Sequence, residues 1–365
     1  SYAVVTLAKA TINDSITDMT IDDSDNLYYI NRKDNSLYKV AAKSGASAKK
    51  LTSLSKLTYT ETETREETRT VKKKVEKALA ERDDKDDVND EVDINDEDEN
   101  LGEEDKDNSD DINDKDSEKP KEPEYEYIEE EETVEVEVPI AKYSDFNAQQ
   151  VYYEPTTDKV WLIGYFENKT NEQGQDGTGK FWAILNADNF KDRITTKYIC
   201  SDKIVGSLSN GQIISGGIHS MPYITNQNTW TTKEAYFCSY INSVVQRGND
   251  LFCLRVYSND VLIIAYSLTT MSELPFETEF DIVANKLASG NNSFYFWDMA
   301  NGKISAFDVK KEKFRTLDID TINGVELEDG GYLSANGIEM MRVTSKENFV
   351  FADKDAAAIR LLYKK

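Results

Sequence analysis

Three stretches of fifteen residues align without a gap: 26–40 (NLYYINRKDNSLYKV), 293–307 (SFYFWDMANGKISAF) and 348–362 (NFVFADKDAAAIRLL). Each opens on a polar residue and runs through a four-residue strand to a second polar position, Asn31, Asp298 or Asp353. A turn follows, then a return strand whose apolar residue is Leu37, Ile304 or Ile359. Residues 250–264 (DLFCLRVYSNDVLII) fit the same frame with Arg255 at the polar position. An isolated hairpin of this size cannot shelter its apolar side, so a chain built from such units must pack them against one another. The last three copies recur every 40–55 residues or so, the period of a repeat unit of about four strands.

Two weaker copies fill the middle of the chain. Residues 159–166 (KVWLIGYF) start a hairpin predicted to return at 180–185, and residues 211–218 (GQIISGGI) start one predicted to return at 235–240. An apolar strand precedes most copies, at 16–21, 148–153, 204–208, 243–246, 282–287 and 338–343. Long helical patterns are nearly missing. The pattern predicts an all-β fold: a single β-propeller of about six blades, seven being the alternative, in which side-by-side packing buries each face and protects the sheet edges. The final copy is one strand short. The β-branched run at 2–7 has the length to supply that strand and close the ring.

The copies resemble blades of six-bladed propellers of the NHL and TolB-like kind, whose hairpins read G-N-x-Y-V-x-D-x-x-N-x-R-I. The resemblance covers roughly residues 14–54 and 141–365; Asp298 and Asp353 match the family's Asp, whereas Asn31 and Arg255 depart from it. The Trp297–Asp298 pair is similar to the WD40 dipeptide, but it occurs once and without a Gly-His partner. The domain organisation expected is 1–54 as closing strand and first blade, 55–140 as an insertion, and 141–365 as the remaining blades.

Net charge is −26, yet 30 acidic and 6 basic residues fall between positions 81 and 137, so the rest of the chain is close to neutral. A body without a cationic stripe argues against nucleic acid as a partner. Within the insertion, 58–71 (TYTETETREETRTV) and 125–140 alternate as strands do and could pair as a ribbon. Val71, Val75, Ala78 and Leu79 share a helical face, which predicts a short helix over 71–82. Residues 83–124 hold too few apolar groups to offset the entropy of ordering, and disorder is expected there. The acidic run reads as a spacer, as a docking segment for a basic partner, or as a sink for divalent cations. DINDEDENLGEE is not an EF-hand, because Asp98 stands where the loop needs Gly, so calcium binding would be weak.

No cofactor is expected. The one histidine, His219, excludes multi-histidine metal sites and leaves any Ser-His-Asp triad dependent on that residue alone; no Walker A or GxGxxG motif occurs. Cys200, Cys238 and Cys253 have no metal-ligand spacing and read as buried thiols, with a Cys238–Cys253 disulfide as the lesser reading. A carboxylate pair is the remaining catalytic route, but Asp298 and Asp353 sit in the repeat frame and read as hairpin stabilisers. Two long loops, 167–179 and 217–234, are placed on the same face as the insertion. His219, Tyr223 and Trp230 on the second loop, with Phe166 before the first, are the candidate partner-binding residues. The function expected is a non-enzymatic binding or scaffold propeller that engages a protein or glycan through that face, as a monomer or as part of a larger assembly. The alternatives are a carboxylate-dependent enzyme acting on glycans, and an envelope protein with a spacer or cation-binding arm. No stretch has the apolar length of a membrane-spanning helix, no signal peptide is recognised at 1–9, and an extracytoplasmic or cell-surface location is expected.

Overall fold

The structure is a computed structural model and describes residues 2–9, 16–76, 125–178, 182–190, 193–195, 203–216, 221–235, 239–258, 260–280, 286–290, 292–298, 303–317, 324–328, 330–334 and 337–365. The chain divides into two compact units, Ser1–Thr62 with Pro139–Lys365, and Glu63–Val138.

After β1 (Tyr2–Lys9), the first unit lays down one four-stranded antiparallel sheet after another. The first sheet holds β2 (Ile16–Ile21), β3 (Asn26–Asn31), β4 (Ser36–Ala41) and β5 (Lys49–Ser53). A single 3-10 turn, Leu54–Lys56, leads to β6 (Tyr59–Glu76), and β7 (Tyr125–Glu154) returns against it. The C-terminal part of β7 begins the second sheet. It continues with β8 (Lys159–Asn171), to which the short β9 (Asp176–Thr178) pairs back, then β10 (Trp182–Asn186) and β11 (Arg193–Thr195). The third holds β12 (Lys203–Ser207), β13 (Ile213–Gly216), β14 (Tyr223–Thr225) and β15 (Thr232–Glu234). The fourth holds β16 (Ile241–Arg247), β17 (Asp250–Tyr257), β18 (Asp260–Ser267) and β19 (Glu273–Phe280), and the fifth holds β20 (Leu287–Gly290), β21 (Ser293–Asp298), β22 (Lys303–Asp308) and β23 (Lys313–Thr316). The sixth has only β24 (Ile338–Val343), β25 (Phe349–Asp353) and β26 (Ala358–Lys364) from the C-terminal part of the chain. Its fourth strand is β1, with Tyr2 opposite Lys364 and Lys9 opposite Ala358.

Each sheet is apolar on both faces, and each face is buried against the next sheet. Six apolar clusters result, one per junction. Ile30, Leu37 and Leu57 meet Phe146, Leu162 and Phe166 between the first and second sheets. Trp161 and Ile163 meet Ile204 and Ile213 at the next junction. Val205 and Ile214 then pack with Leu251 and Cys253, Phe252 and Ile263 with Phe294 and Phe307, and Trp297 and Tyr295 with Phe349 and Phe351. Val350 and Leu361 close the circle on Met19 and Leu27, with Val5 and Leu7 of β1 in the same cluster. A circular sequence of sheets, each sharing a core with two neighbours, is a β-propeller.

The inner strand of a blade has to twist strongly to sit near the axis. Five of the six inner strands carry a bulge against their neighbour at one place in the frame: Ile16/Asp18, Ala148/Gln150, Ile204/Gly206, Ile241/Ser243 and Ile338/Met340. At the second of these, Gly164 lies opposite Ala148, and a Cβ there would stand 2.1 Å from the Asn147 carbonyl oxygen. The obstruction is backbone and cannot swing away. Gly164→Ala is therefore expected to destabilise the fold by about 1–3 kcal/mol, as overpacking does. An unchanged denaturation midpoint would show that the bulge can slide.

Several expectations are corrected. Residues 71–76 are strand, not helix: β6 stays extended because β7 pairs with it. Lys72 and Lys73 reach Glu129 and Glu130 at 3.6 and 2.6 Å, and the Lys74 ammonium lies 3.8 Å from the Tyr125 ring centre. Helix propensity over so short a stretch does not compete with a cross-strand partner. The return strand of the third blade is β14, not 235–240, because 226–231 closes as a tight turn. There the Asn226 side chain accepts from the Asn228 and Thr229 N–H groups, and its own N–H bonds Thr231. The 167–179 segment is mostly paired in β8 and β9. Cys253 is buried; Cys200 and Cys238 lie outside the described residues.

Candidate functional site

The inner strands of adjacent blades run in the same direction, and this follows from how they are joined. An inner strand has an open edge toward the axis, so its backbone polar groups need partners. The neighbouring blade supplies them through side chains. Asp18 and Thr20 accept from the N–H groups of Val151 and Tyr153 at 2.9 and 3.0 Å. Gln150 bonds both backbone groups of Ile204, and the Tyr152 hydroxyl donates to Ser207. Gln246 accepts from Ser209 N–H, and Arg247 donates to the Val309 carbonyl and Glu312. Glu347 accepts from Tyr295 and Arg315. Arg342 donates to the Met19 carbonyl at 2.7 Å and to Asp18 at 2.8 Å, and Ser345 donates to Asp25. Side chains cross all six junctions among the described residues, and at three of them, first to second, second to third and sixth to first, they bond inner-strand backbone groups.

The strands enclose a cavity of about 1030 Å3 that runs from one end of the inner strands to the other. Thr17, Lys203 and Asn242 stand where the strands begin; Asp22, Gln246 and Ser345 stand where they end. Asp18 lies in its wall. Burial pushes this carboxyl above its ordinary 3.8, while Arg342, the Val151 and Met19 N–H groups and Lys203 pull it down without cancelling the effect. Asp22, at the rim, accepts from the Ser24 and Asn26 N–H groups of its own turn. No group of three or more potential metal ligands occurs among the described residues.

The expected site residues are not brought together. Phe166 is fully buried, packed 5.1 Å from Phe146 and near Tyr59 and Tyr143, so its ring is core and offers nothing to a partner. Tyr223 begins β14 while Trp230 lies beyond its end in the 226–231 turn, so the strand separates them to opposite ends of the third blade. Trp230 is set edge-on to Trp161 at 5.5 Å and helps cover the core there. His219 lies outside the described residues. Asp353 behaves as a hairpin stabiliser, accepting from the Asp355 and Ala356 N–H groups. The residues missed were Asp18, Arg342, Trp182, Tyr240 and Asn242. For the first two a signal existed: polar side chains inside otherwise apolar inner strands, as in ITDMTI and IEMMRV.

No family model matches the chain, and no curated protein matches it. Among solved structures it is similar to a chain of the mitotic checkpoint complex (TM-score 0.48, 9% identity, 99% of this chain and 91% of that one). It is also similar to a streptogramin B lyase (TM-score 0.45, 8% identity, 99% and 97%) and to the WD40 β-propeller domain of Doa1 (TM-score 0.42, 9% identity, 100% and 98%). Likeness at these scores says nothing about role.

Proposed function

We propose that the chain is a non-enzymatic binding propeller that engages a macromolecular partner at the end of the ring where the inner strands begin. We read it as a propeller of the NHL/TolB-like kind, on the Asp353 hairpin, and as a cell-surface protein. The supporting observation is how the cavity's polar side chains are used. Of the three carboxyls lining the cavity among the described residues, Asp18 is paired with Arg342 and Asp22 is bonded into its own turn, which leaves Asp23 alone, and glycoside hydrolysis needs two carboxyls free to work on either side of one bond. The links between sheets and the loops joining second to third strands share the proposed end, and loops on a rigid scaffold are where binding resides.

One observation favours a second reading, an enzyme acting on glycans: a carboxyl raised by burial is what a proton donor needs, and Asp18 is such a carboxyl. Incubation with a panel of polysaccharides, followed by reducing-end assay, separates the two. The expected result is no turnover between pH 4 and 8. Turnover that disappears in Asp18→Asn would replace the binding reading with the enzymatic one.

A further inference from the structure

The two mouths of the cavity use their side chains differently. Where the inner strands end, Asp22, Ser207, Gln246 and Ser345 are spent. Asp22 caps a turn, Ser207 accepts from Tyr152, Gln246 bonds Ser209 and Gly248, and Ser345 bonds Asp25. Where the strands begin, two half-buried aromatic rings line the cavity, Trp182 from the second blade and Tyr240 from the fourth. Each is braced by a second ring. Tyr165 stands edge-on to Trp182 at 5.8 Å, and Tyr257 edge-on to Tyr240 at 4.6 Å. Tyr165 is held in turn by the Asn147 amide, which donates to its hydroxyl at 3.0 Å. Bracing of this kind fixes a ring's orientation before any ligand arrives, which lowers the cost of binding.

Asn242 lines the same end. Asn242 and Trp182 are half-buried residues, and neither the Asn242 amide nor the Trp182 indole N–H has a hydrogen-bond partner among the described residues. Partly desolvated donors and acceptors of this sort are satisfied by a ligand carrying its own polar groups. Rings and a neutral amide together suit a molecule with flat C–H faces and hydroxyl edges. A peptide adding itself as a strand fits less well. That mode needs open strand edges, and inner-strand N–H groups at Val151, Tyr153 and Ile204 are already taken by neighbouring blades.

We propose that this mouth is a saccharide-binding site, with sugar rings resting on Trp182 and Tyr240 and their hydroxyls bonding the Asn242 amide. The proposal rests on the binding reading above and narrows its partner to a neutral glycan chain. The test is calorimetric titration of the full chain with hexasaccharides of β-1,4-glucose, β-1,4-xylose, α-1,4-glucose and β-1,4-mannose, with tryptophan fluorescence as a second readout. At least one is expected to bind with a dissociation constant below about 1 mM. Trp182→Ala and Asn242→Ala should each weaken it ten-fold or more. Trp182→Phe, which keeps a ring, should stay within a few-fold, and Gln246→Ala at the opposite mouth should change nothing. Circular dichroism on each variant checks that it is folded. Absence of binding by all four sugars overturns the proposal, as does binding that Trp182→Ala and Asn242→Ala leave intact. Cleavage of a bound sugar would overturn the non-enzymatic reading and leave this site standing.

Discussion

Arg360→Ala is expected to cost the propeller about 3–5 kcal/mol, because it strands a buried carboxylate. Arg360 and Asp353 are 5% and 9% exposed, joined at 2.8 Å, and the same guanidinium donates to the Thr6 hydroxyl on β1 at 3.1 Å. One side chain thus ties together a hairpin turn, a return strand and the strand that closes the ring. The double variant Asp353→Leu/Arg360→Met should recover part of the loss, since an apolar pair avoids an unpaired buried charge. Recovery should be incomplete, because Asp353 also accepts from the Asp355 and Ala356 N–H groups. Urea denaturation of the three proteins measures this; a single-variant loss below about 1 kcal/mol would mean that water reaches the carboxylate.

The second large effect is expected at Glu154, which has no exposed surface. Its two oxygens accept from the backbone N–H and hydroxyl groups of Thr156 and Thr157, all within 3.0 Å. Burial pushes this carboxyl up, but the hydrogen bonds from Thr156, Thr157 and Gln227 outweigh it and hold the group below its ordinary 4.5. The sign follows from linkage. The stabilisation is fully present above the unfolded value near 4.5 and fades as pH falls through the lower folded value. Glu154→Gln turns one acceptor oxygen into a donor that faces other donors, and should cost about 2–4 kcal/mol at neutral pH. The gap between wild type and variant should narrow below pH 4. A gap independent of pH would place the effect in packing rather than in charge.

The alternation of short apolar strands with Asn, Asp and Gly turns made the all-β ring legible, because hairpins that cannot bury their own faces have few ways to pack. The closing role of β1 was legible for the same reason: a blade one strand short needs a partner of matching length, and 2–7 was the one left over. The repeat frame even located Asp353, since a polar residue recurring at one position answers to a turn.

The site was not legible, and the obstacle was distance along the chain. Asp18 meets Arg342 only because the ring closes, and Trp182 of the second blade comes to line the same cavity as Tyr240 of the fourth only because the blades surround one axis. Periodicity records which face of a strand is apolar; it does not record which end of the axis a residue reaches. That is why Tyr223 and Trp230 read as one loop until a three-residue strand was seen to part them, and why Phe166 read as a surface aromatic when it fills a junction between blades. Local pattern determined the hairpins and their stacking. The sealing of the junctions and the character of each mouth were decided by ring closure, which brings together groups that no local spacing relates.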